Sequence, residues 1–168
     1  MKTPLSFLNN GIAQVCIIVP ELEPVVEAYY RLFGIGPWHF YTYKKPFVKE
    51  MHYQGKSADY CMRVALSNFG PMRIELIEPV AGESVYADFV REHGYGVHHF
   101  GLLTDDMKSA LREAEEAGLP MTMDGSGFGA DGDGHFAYLD TEKFLGVTLE
   151  LIERPGKRIK PEKIYPPE

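Results

Sequence analysis

Apolar residues recur along the chain with two different periods, and these periods predict its secondary structure. Residues 12–19 form a short β-branched run that Pro20 ends, which is typical of a buried strand. Residues 22–33 repeat apolar side chains every three or four positions, which predicts an amphipathic helix ending at Gly34. Three strands are then predicted within residues 38–43, 60–66 and 72–78, and the polar and aromatic stretch at 44–57 predicts a further strand and a long loop.

The same order of elements returns roughly 80 residues further along the chain, which indicates an internal repeat. Residues 97–103 predict a strand, and Thr104 and Asp105 supply an N-cap for a helix that ends at Gly118. Strands follow within residues 121–124, 135–139 and 147–152. The repeating unit is therefore predicted to be βαβββ.

Two such units predict an α+β fold in a single domain that spans residues 9–155. The predicted parts are a first module at about 9–80, a connecting helix at 83–93, a second module at about 95–154 and a C-terminal arm at 156–168. Basic residues alternate with prolines from Arg154 to Lys163. We expect this stretch to be a solvated arm rather than part of a binding site.

Composition and charge narrow the class of protein. At 168 residues the chain has the length of one domain, and 45% hydrophobic with 24% charged residues is ordinary for a globular protein. The net charge of −7 argues against nucleic acid or a membrane surface as partner, and no apolar run approaches the roughly 20 residues of a membrane helix. Cys16 and Cys61 lie in apolar runs without a CxxC motif, so we expect a cytoplasmic protein without disulfides.

One polar residue interrupts each of four apolar strands. Gln14 and His99 lie in the first strand of each module, and Glu75 and Glu150 lie in the last. Because side chains alternate between the faces of a strand, all four can share one face while their apolar neighbours pack against the helices. A buried carboxylate is costly unless it is paired or binds a cation. The set therefore predicts a divalent-metal site, although any one such Glu alone is more often exposed or ion-paired.

These strands and the first helix carry a family resemblance. The segments concerned are IAQVCIIVPELEPVVEAYYRLFGIGPW, MRIELIEP, GVHHFGLLTDD and GVTLELIE. The chain resembles the vicinal oxygen chelate superfamily of glyoxalase, bleomycin-resistance and extradiol dioxygenase proteins, and within it the methylmalonyl-CoA epimerase and glyoxalase-like branch. The resemblance implies a homodimer whose paired modules form an open, cupped mixed sheet around one divalent ion, either Zn, Ni, Co or Mn. The implied metal ligands are Gln14, Glu75, His99 and Glu150.

The resemblance also implies a metal-dependent isomerase, epimerase or lyase that transfers a proton next to a carbonyl, with methylmalonyl-CoA epimerase as the best single example. Gln14 stands where such epimerases usually carry His, and the four donors are similar to those of some glyoxalase I (lactoylglutathione lyase) enzymes. The missing histidine disfavours ring-cleaving dioxygenase chemistry. A non-enzymatic metabolite- or drug-binding protein of the bleomycin-resistance type is a third alternative. The substrate would be a small molecule such as an acyl-CoA or a thiol adduct.

Candidate catalytic residues follow from this implied chemistry. Glu150 is the first choice as a base that is also a metal ligand, and Glu75 is the second. Asp59 opens a strand where related epimerases often carry an acidic residue, and a surface position without catalytic function is its alternative. Arg73 shares the strand face of Glu75, so it could hold a substrate carboxylate or form an ion pair.

Aromatic and glycine-rich stretches suggest walls for a pocket. Trp38 and Tyr43 belong to an aromatic cluster that we expect to be half core and half substrate-binding wall. Residues 124–134 are rich in Gly and Asp without a nucleotide-binding or calcium-loop pattern, so they predict either a lid or a plain hairpin connection. His98 is expected to pack near the helices, and His135 to be structural.

Overall fold

Eleven strands and four α-helices make up the part of the chain that the computed structural model describes, residues 4–167. The strands are β1 (Ile12–Ile18), β2 (Trp38–Tyr43), β3 (Glu50–Tyr53), β4 (Lys56–Ser57), β5 (Cys61–Phe69), β6 (Met72–Ala81), β7 (Gly96–Leu103), β8 (Met121–Phe128), β9 (Gly134–Leu139), β10 (Thr148–Glu153) and β11 (Lys163–Tyr165). The helices are α1 (Leu22–Phe33), α2 (Val85–His93), α3 (Met107–Glu116) and α4 (Glu142–Leu145), and a 3-10 helix at Ser6–Asn10 precedes β1. None of the described helices is long and apolar enough to cross a membrane.

The two modules lie side by side in one mixed sheet. Its strand order is β11-β2-β5-β6-β1-β7-β10-β9-β8-β3-β4, with the antiparallel pair β1 and β7 at the centre. In each module the first strand runs parallel to the last, because β1 pairs with β6 and β7 pairs with β10. A helix crosses over after each first strand. This repeated arrangement confirms the predicted α+β fold of tandem βαβββ modules.

The stretch between β2 and β5 extends further than the local pattern indicates. It forms the hairpin β3–β4, which leaves the first module and pairs with β8 of the second, from Glu50 opposite Ser126 to Tyr53 opposite Met123. β3 therefore lies near one edge of the sheet, whereas its chain neighbour β2 lies near the other. This connection therefore joins the two modules of the curled sheet.

The C-terminal segment is not the solvated arm that its basic composition suggests. Its end forms β11 against β2, and the backbone N–H of Glu162 donates to the carbonyl oxygen of Phe40 over 2.9 Å. The Glu162 carboxylate also accepts hydrogen bonds of 2.9 Å from the backbone N–H and the hydroxyl of Thr42. Apolar contact contributes as well, since Ile159 packs against the core of the cup. We call residues 154–165 the C-terminal strap.

Helices α1 and α3 cover the convex side of the sheet, and this coverage determines which side chains face into the cup. α1 packs Leu22 and Val26 against Leu76 of β6. α3 packs Ala110 and Ala114 against the second module. Since strand side chains alternate, the residues on either side of Leu76 point to the concave face.

Replacing Leu76 with Ala should lower the free energy of unfolding by about 2–5 kcal/mol, because Leu76 is fully buried beneath α1. The control is Leu32→Ala on α1 itself, where Leu32 is 64% exposed and the change should stay within about 0.5 kcal/mol. Urea denaturation followed by circular dichroism measures both values. Equal losses in the two variants would contradict the packing of α1 on β6.

Candidate metal centre and cavity

Four neighbouring strands at the centre of the sheet bring the predicted polar residues together. The strands β6, β1, β7 and β10 are consecutive in the sheet and contribute Glu75, Gln14, His99 and Glu150. The Gln14 amide nitrogen donates to Glu75 Oε2 over 2.9 Å and to Glu150 Oε2 over 3.1 Å. Both carboxylates therefore meet at one point, and each comes from a different module.

His99 lies between these carboxylates without a hydrogen bond at its Nε2 atom. This atom is within ion-pair distance of both carboxylates, 3.1 Å from Glu150 Oε2 and 3.3 Å from Glu75 Oε2, and the ring is fully buried. Burial opposes charging of the imidazole, but Cys16 and Glu150 outweigh it and raise the pKa of His99. Burial also raises the pKa of Glu150, against the opposing effect of His99. An unpartnered imidazole nitrogen beside two carboxylates fits a divalent cation.

Gln14 presents its amide nitrogen, not its oxygen, to this centre. The oxygen instead accepts a hydrogen bond of 3.3 Å from Arg73 Nη1. Coordination of a cation by Gln14 Oε1 thus requires a half-turn of the amide and the loss of the Arg73 contact. Three of the four predicted ligands, Glu75, His99 and Glu150, face the centre as they stand.

Cys16 is a further candidate donor, which the apolar pattern of its strand does not reveal. Potential donor atoms of Cys16, Glu75 and His99 all lie within 4.8 Å of one another. Burial raises the pKa of the Cys16 thiol to about 12, so the thiol is protonated unless a cation binds it. The available signal in the sequence was its spacing, because Cys16 is two positions from Gln14 and so shares its strand face.

Gly101 of β7 makes room for the centre. A Cβ atom at this position would lie 2.9 Å from Gln14 Cβ and 3.3 Å from Glu150 Oε2. Gly101 is paired with both of these residues across its two neighbouring strands. The absence of a side chain at Gly101 therefore lets Gln14 and Glu150 approach each other.

A pair of buried tyrosines holds the second oxygen of Glu150. The Tyr138 hydroxyl donates to Glu150 Oε1 over 3.0 Å. The Tyr86 hydroxyl of α2 lies 2.7 Å from that of Tyr138, and both side chains are almost completely buried. This chain of hydrogen bonds fixes the Glu150 carboxylate, so that Oε2 remains directed towards His99.

A cavity with aromatic walls opens above the centre. Gln14, Glu75 and Glu150 lie at its floor. Five rings form its walls, namely Tyr41, Tyr43, Phe47, Phe128 and Phe136. The remaining side is formed by Arg73 and by the C-terminal strap, through Arg154, Pro155, Arg158 and Ile159. The cavity therefore combines an apolar interior with positive charge at one side and carboxylates at its base.

Only some of the other predicted site residues line the cavity. Tyr43 and Arg73 line the cavity, and their role in substrate binding stays a prediction. Trp38 does not line it: the indole is fully buried in the core beneath α1, and its N–H donates to the Ile35 carbonyl oxygen over 2.7 Å. Asp59 is exposed in the loop before β5 and is not among the residues that line the cavity.

His98 and His135, and most of the glycine-rich stretch, take part in packing and chain connection. His98 packs against Phe89 of α2, with 4.9 Å between the ring centroids, while its Nδ1 lies 2.9 Å from His99 Nδ1. His135 Nε2 lies 2.8 Å from an oxygen of Asp124. Residues 129–133 are a hairpin connection between β8 and β9, and Gly129 lines the cavity. A hairpin thus accounts for most of this stretch.

Comparison with known proteins identifies the class. A model of the Glyoxalase/Bleomycin resistance protein/Dioxygenase superfamily matches residues 13–138, so the chain belongs to this family. The uncharacterized protein YqjC of Bacillus subtilis (strain 168) is 27% identical over 95 residues, which are 56% of this chain and 67% of that protein.

Solved structures share the fold at low sequence identity. The hypothetical protein BH1468 from Bacillus halodurans C-125 has a TM-score of 0.59 and 22% identity, and the match covers 89% of this chain and 97% of that chain. Methylmalonyl-CoA epimerase from Mycobacterium tuberculosis has a TM-score of 0.59 and 20% identity, with 86% and 88% covered. A Streptomyces coelicolor methylmalonyl-CoA epimerase in complex with 2-nitronate-propionyl-CoA has a TM-score of 0.60 and 19% identity, with 88% and 96% covered.

If the centre binds a divalent ion, Glu150→Gln should weaken the binding of Co²⁺ at least about tenfold, because it removes an anionic donor. Isothermal titration calorimetry of metal-free protein measures the affinity. The matched control is Glu153→Gln on the same strand, whose carboxylate lies away from the centre and accepts a hydrogen bond from the Met107 N–H. Identical affinities in the two variants would show that Glu150 is not a ligand.

If the Cys16 thiol contacts the ion, Co²⁺-loaded protein should show an intense sulfur-to-cobalt charge-transfer absorption in the near ultraviolet. Cys16→Ser should abolish this band, whereas Cys61→Ser should retain it, since Cys61 is the other free cysteine and lies at the start of β5. Thiolate coordination would also favour Zn²⁺ and Co²⁺ over Mn²⁺. A Co²⁺ spectrum that Cys16→Ser leaves unchanged would exclude sulfur from the centre.

Proposed function

We propose that the protein is a divalent-metal-dependent isomerase or lyase that transfers a proton next to a substrate carbonyl, as a methylmalonyl-CoA epimerase does. One observation carries this proposal: two carboxylates that line an aromatic cavity converge on an imidazole nitrogen, which is buried beneath them and has no hydrogen bond. A buried arrangement of this kind is costly for folding alone, and it has the composition of a cation site that opens to a small-molecule pocket.

Glu75, His99 and Glu150 would hold the ion, with Cys16 or a turned Gln14 as a further donor. A bound ion supplies a positive charge that stabilises the negative charge developing on substrate oxygens. Lewis-acid chemistry needs no change in the oxidation state of the ion, so Zn, Ni, Co and Mn are all compatible with this donor set. The aromatic walls exclude water from the reacting carbon and orient the apolar part of the substrate.

Glu150 is the proposed proton acceptor. Its Oε1 atom is held by Tyr138, and burial raises its pKa, which brings the carboxylate closer to the basicity that a general base needs near neutral pH. Glu75 is the proposed second acid–base group. It is contributed by the other module, its side chain is 12% exposed, and it lines the same cavity as Glu150.

Two substrate classes are candidates for this reaction. Acyl-CoA thioesters are supported by the methylmalonyl-CoA epimerases with the same fold, although at 19–20% identity the likeness concerns the fold only. Glyoxalase-type isomerisation of a thiol adduct is the second candidate, and Gln14 favours it through the resemblance described above. A homodimer remains a prediction of that resemblance.

Deuterium exchange tests proton transfer directly. With methylmalonyl-CoA in deuterated water, Co²⁺-loaded protein should replace the α-proton, and the NMR signal of that proton should disappear. Chelation of the ion and Glu150→Gln should each reduce the exchange rate at least about a hundredfold, because each removes charge stabilisation or the base.

A control variant and a second substrate distinguish the epimerase-type from the glyoxalase-type reaction. Glu153→Gln should exchange the α-proton at the wild-type rate. The hemithioacetal of methylglyoxal and glutathione, followed by formation of the thioester product, tests the glyoxalase-type reaction. Turnover of the hemithioacetal without exchange on methylmalonyl-CoA would replace the epimerase proposal, and inactivity on both substrates despite tight metal binding would count against proton-transfer chemistry on either.

A further inference from the structure

Three arginines lie together along one side of the aromatic cavity. Arg73 is on β6 beside the metal centre, and Arg154 and Arg158 are on the C-terminal strap. Within residues 4–167, no carboxylate oxygen lies within 4.0 Å of a side-chain nitrogen of any of the three. The protein thus provides positive charge here without a protein counter-ion in contact.

Arg73 is partly buried, and Arg154 and Arg158 are exposed residues that line the same cavity. Burial and the nearby charge of Arg158 lower the pKa of Arg154. Neighbouring like charges destabilise one another unless an anion lies between them. Guanidinium groups bind carboxylates and phosphates through paired hydrogen bonds.

The strap is attached at several points, so its arginines do not simply trail in solvent. The Gly156 N–H donates to Asp133 Oδ2 over 3.0 Å, and the Ala130 N–H donates to the Lys157 carbonyl oxygen over 2.9 Å. Beyond them, Glu162 and β11 fix the strap to β2. These contacts hold Arg154 and Arg158 against the cavity between two fixed points.

Close packing at Gly129 confirms that the strap is seated on the β8–β9 hairpin. Gly129 has a φ of +93°, and a Cβ atom there would lie 2.4 Å from Pro155 Cβ. The backbone conformation and the space both require glycine. The hairpin and the strap therefore form one wall of the cavity, which Arg154 and Arg158 line while remaining exposed to solvent.

We propose that Arg73, Arg154 and Arg158 bind an oxyanion of the substrate, a carboxylate or a phosphate, whose apolar body lies between the aromatic walls. Arg73 contacts Gln14 directly, so this anion lies next to the metal centre rather than far from it. The inference rests on the proposed function only in taking this cavity as the substrate site. It narrows the substrate to a small organic anion with an apolar or aromatic body.

Binding of simple probes tests the site without any need for turnover. The probes are 3-phenylpropanoate, its neutral amide, and 2-phenylethyl phosphate, titrated by calorimetry into metal-free and Co²⁺-loaded protein. We expect at least one anion to bind about tenfold or more tightly than the amide in both forms, because charge-assisted hydrogen bonds to guanidinium exceed those of a neutral group. The tighter of the two anions identifies the oxyanion as carboxylate or phosphate.

Arg158→Gln and Arg73→Gln should each reduce this preference for the anion about tenfold. Lys160→Gln is the matched control, because it makes the same change of charge at an exposed position of the strap outside the cavity. Arg158→Gln keeps the test valid if Arg73→Gln disturbs Gln14, and circular dichroism confirms folding. Equal binding of anion and amide, anion binding only to metal-loaded protein, or equal losses in Lys160→Gln and Arg158→Gln would overturn the proposal.

This experiment separates the anion site from the proposed chemistry. Anion binding that depends on the arginines, without α-proton exchange in any substrate, would retain the site and reject the proton-transfer reaction. Exchange of the α-proton that is unaffected by Arg158→Gln and Arg73→Gln would retain the reaction and reject the site.

Discussion

The cost of burying charge at the seam between the modules governs the architecture. β1 and β7 meet antiparallel at this seam, and Gln14, Glu75, His99 and Glu150 of the four central strands converge on the concave side. Glu75 and Glu150 would repel each other in an apolar interior, and His99 Nε2 is left without a hydrogen bond. Among the described residues, Gln14 and Tyr138 provide three hydrogen bonds to the carboxylates. A protonated His99 offsets part of their charge, in line with its raised pKa, and a divalent cation at the same point would offset it more fully.

Strand alternation is the reason that the sequence predicts so much of this centre. A polar residue between apolar neighbours in a strand must face away from the helix that covers those neighbours, as Glu75 does beside Leu76. The repeat then places equivalent strands next to each other. Trp38 was predicted to line the pocket but is buried in the core. An aromatic cluster can supply both core and pocket residues, and the sequence alone does not show which of its residues take which position. Cys16 was missed for a different reason, because a cysteine within an apolar strand is indistinguishable in the sequence from an ordinary core residue.

Long-range pairing accounts for the features that the local pattern does not contain. β3 pairs with a strand of the other module, and the strap pairs with β2 across more than 100 residues of chain. Neither segment has an amphipathic period of its own, and the basic residues of the strap are equally compatible with a solvated arm. Their positions depend on the edges that the completed sheet presents. The strap lines the cavity through Arg154, Pro155, Arg158 and Ile159, whereas β3 contributes no lining residue. The site therefore owes its floor and most of its aromatic walls to the repeat, and its arginine-bearing side largely to the strap.

Gln14 links the two halves of this site through the geometry of a single amide group. Its nitrogen donates to both carboxylates while its oxygen accepts from Arg73, so one orientation serves the centre and the arginines together. Coordination of an ion by the oxygen would turn the amide nitrogen, itself a donor, towards Arg73 and leave that guanidinium without its acceptor. A substrate oxyanion at Arg73 would supply the missing acceptor. If the centre binds an ion and the arginines bind an anion, the two sites are therefore coupled through Gln14, and ligation by this residue would be most favourable when both are bound.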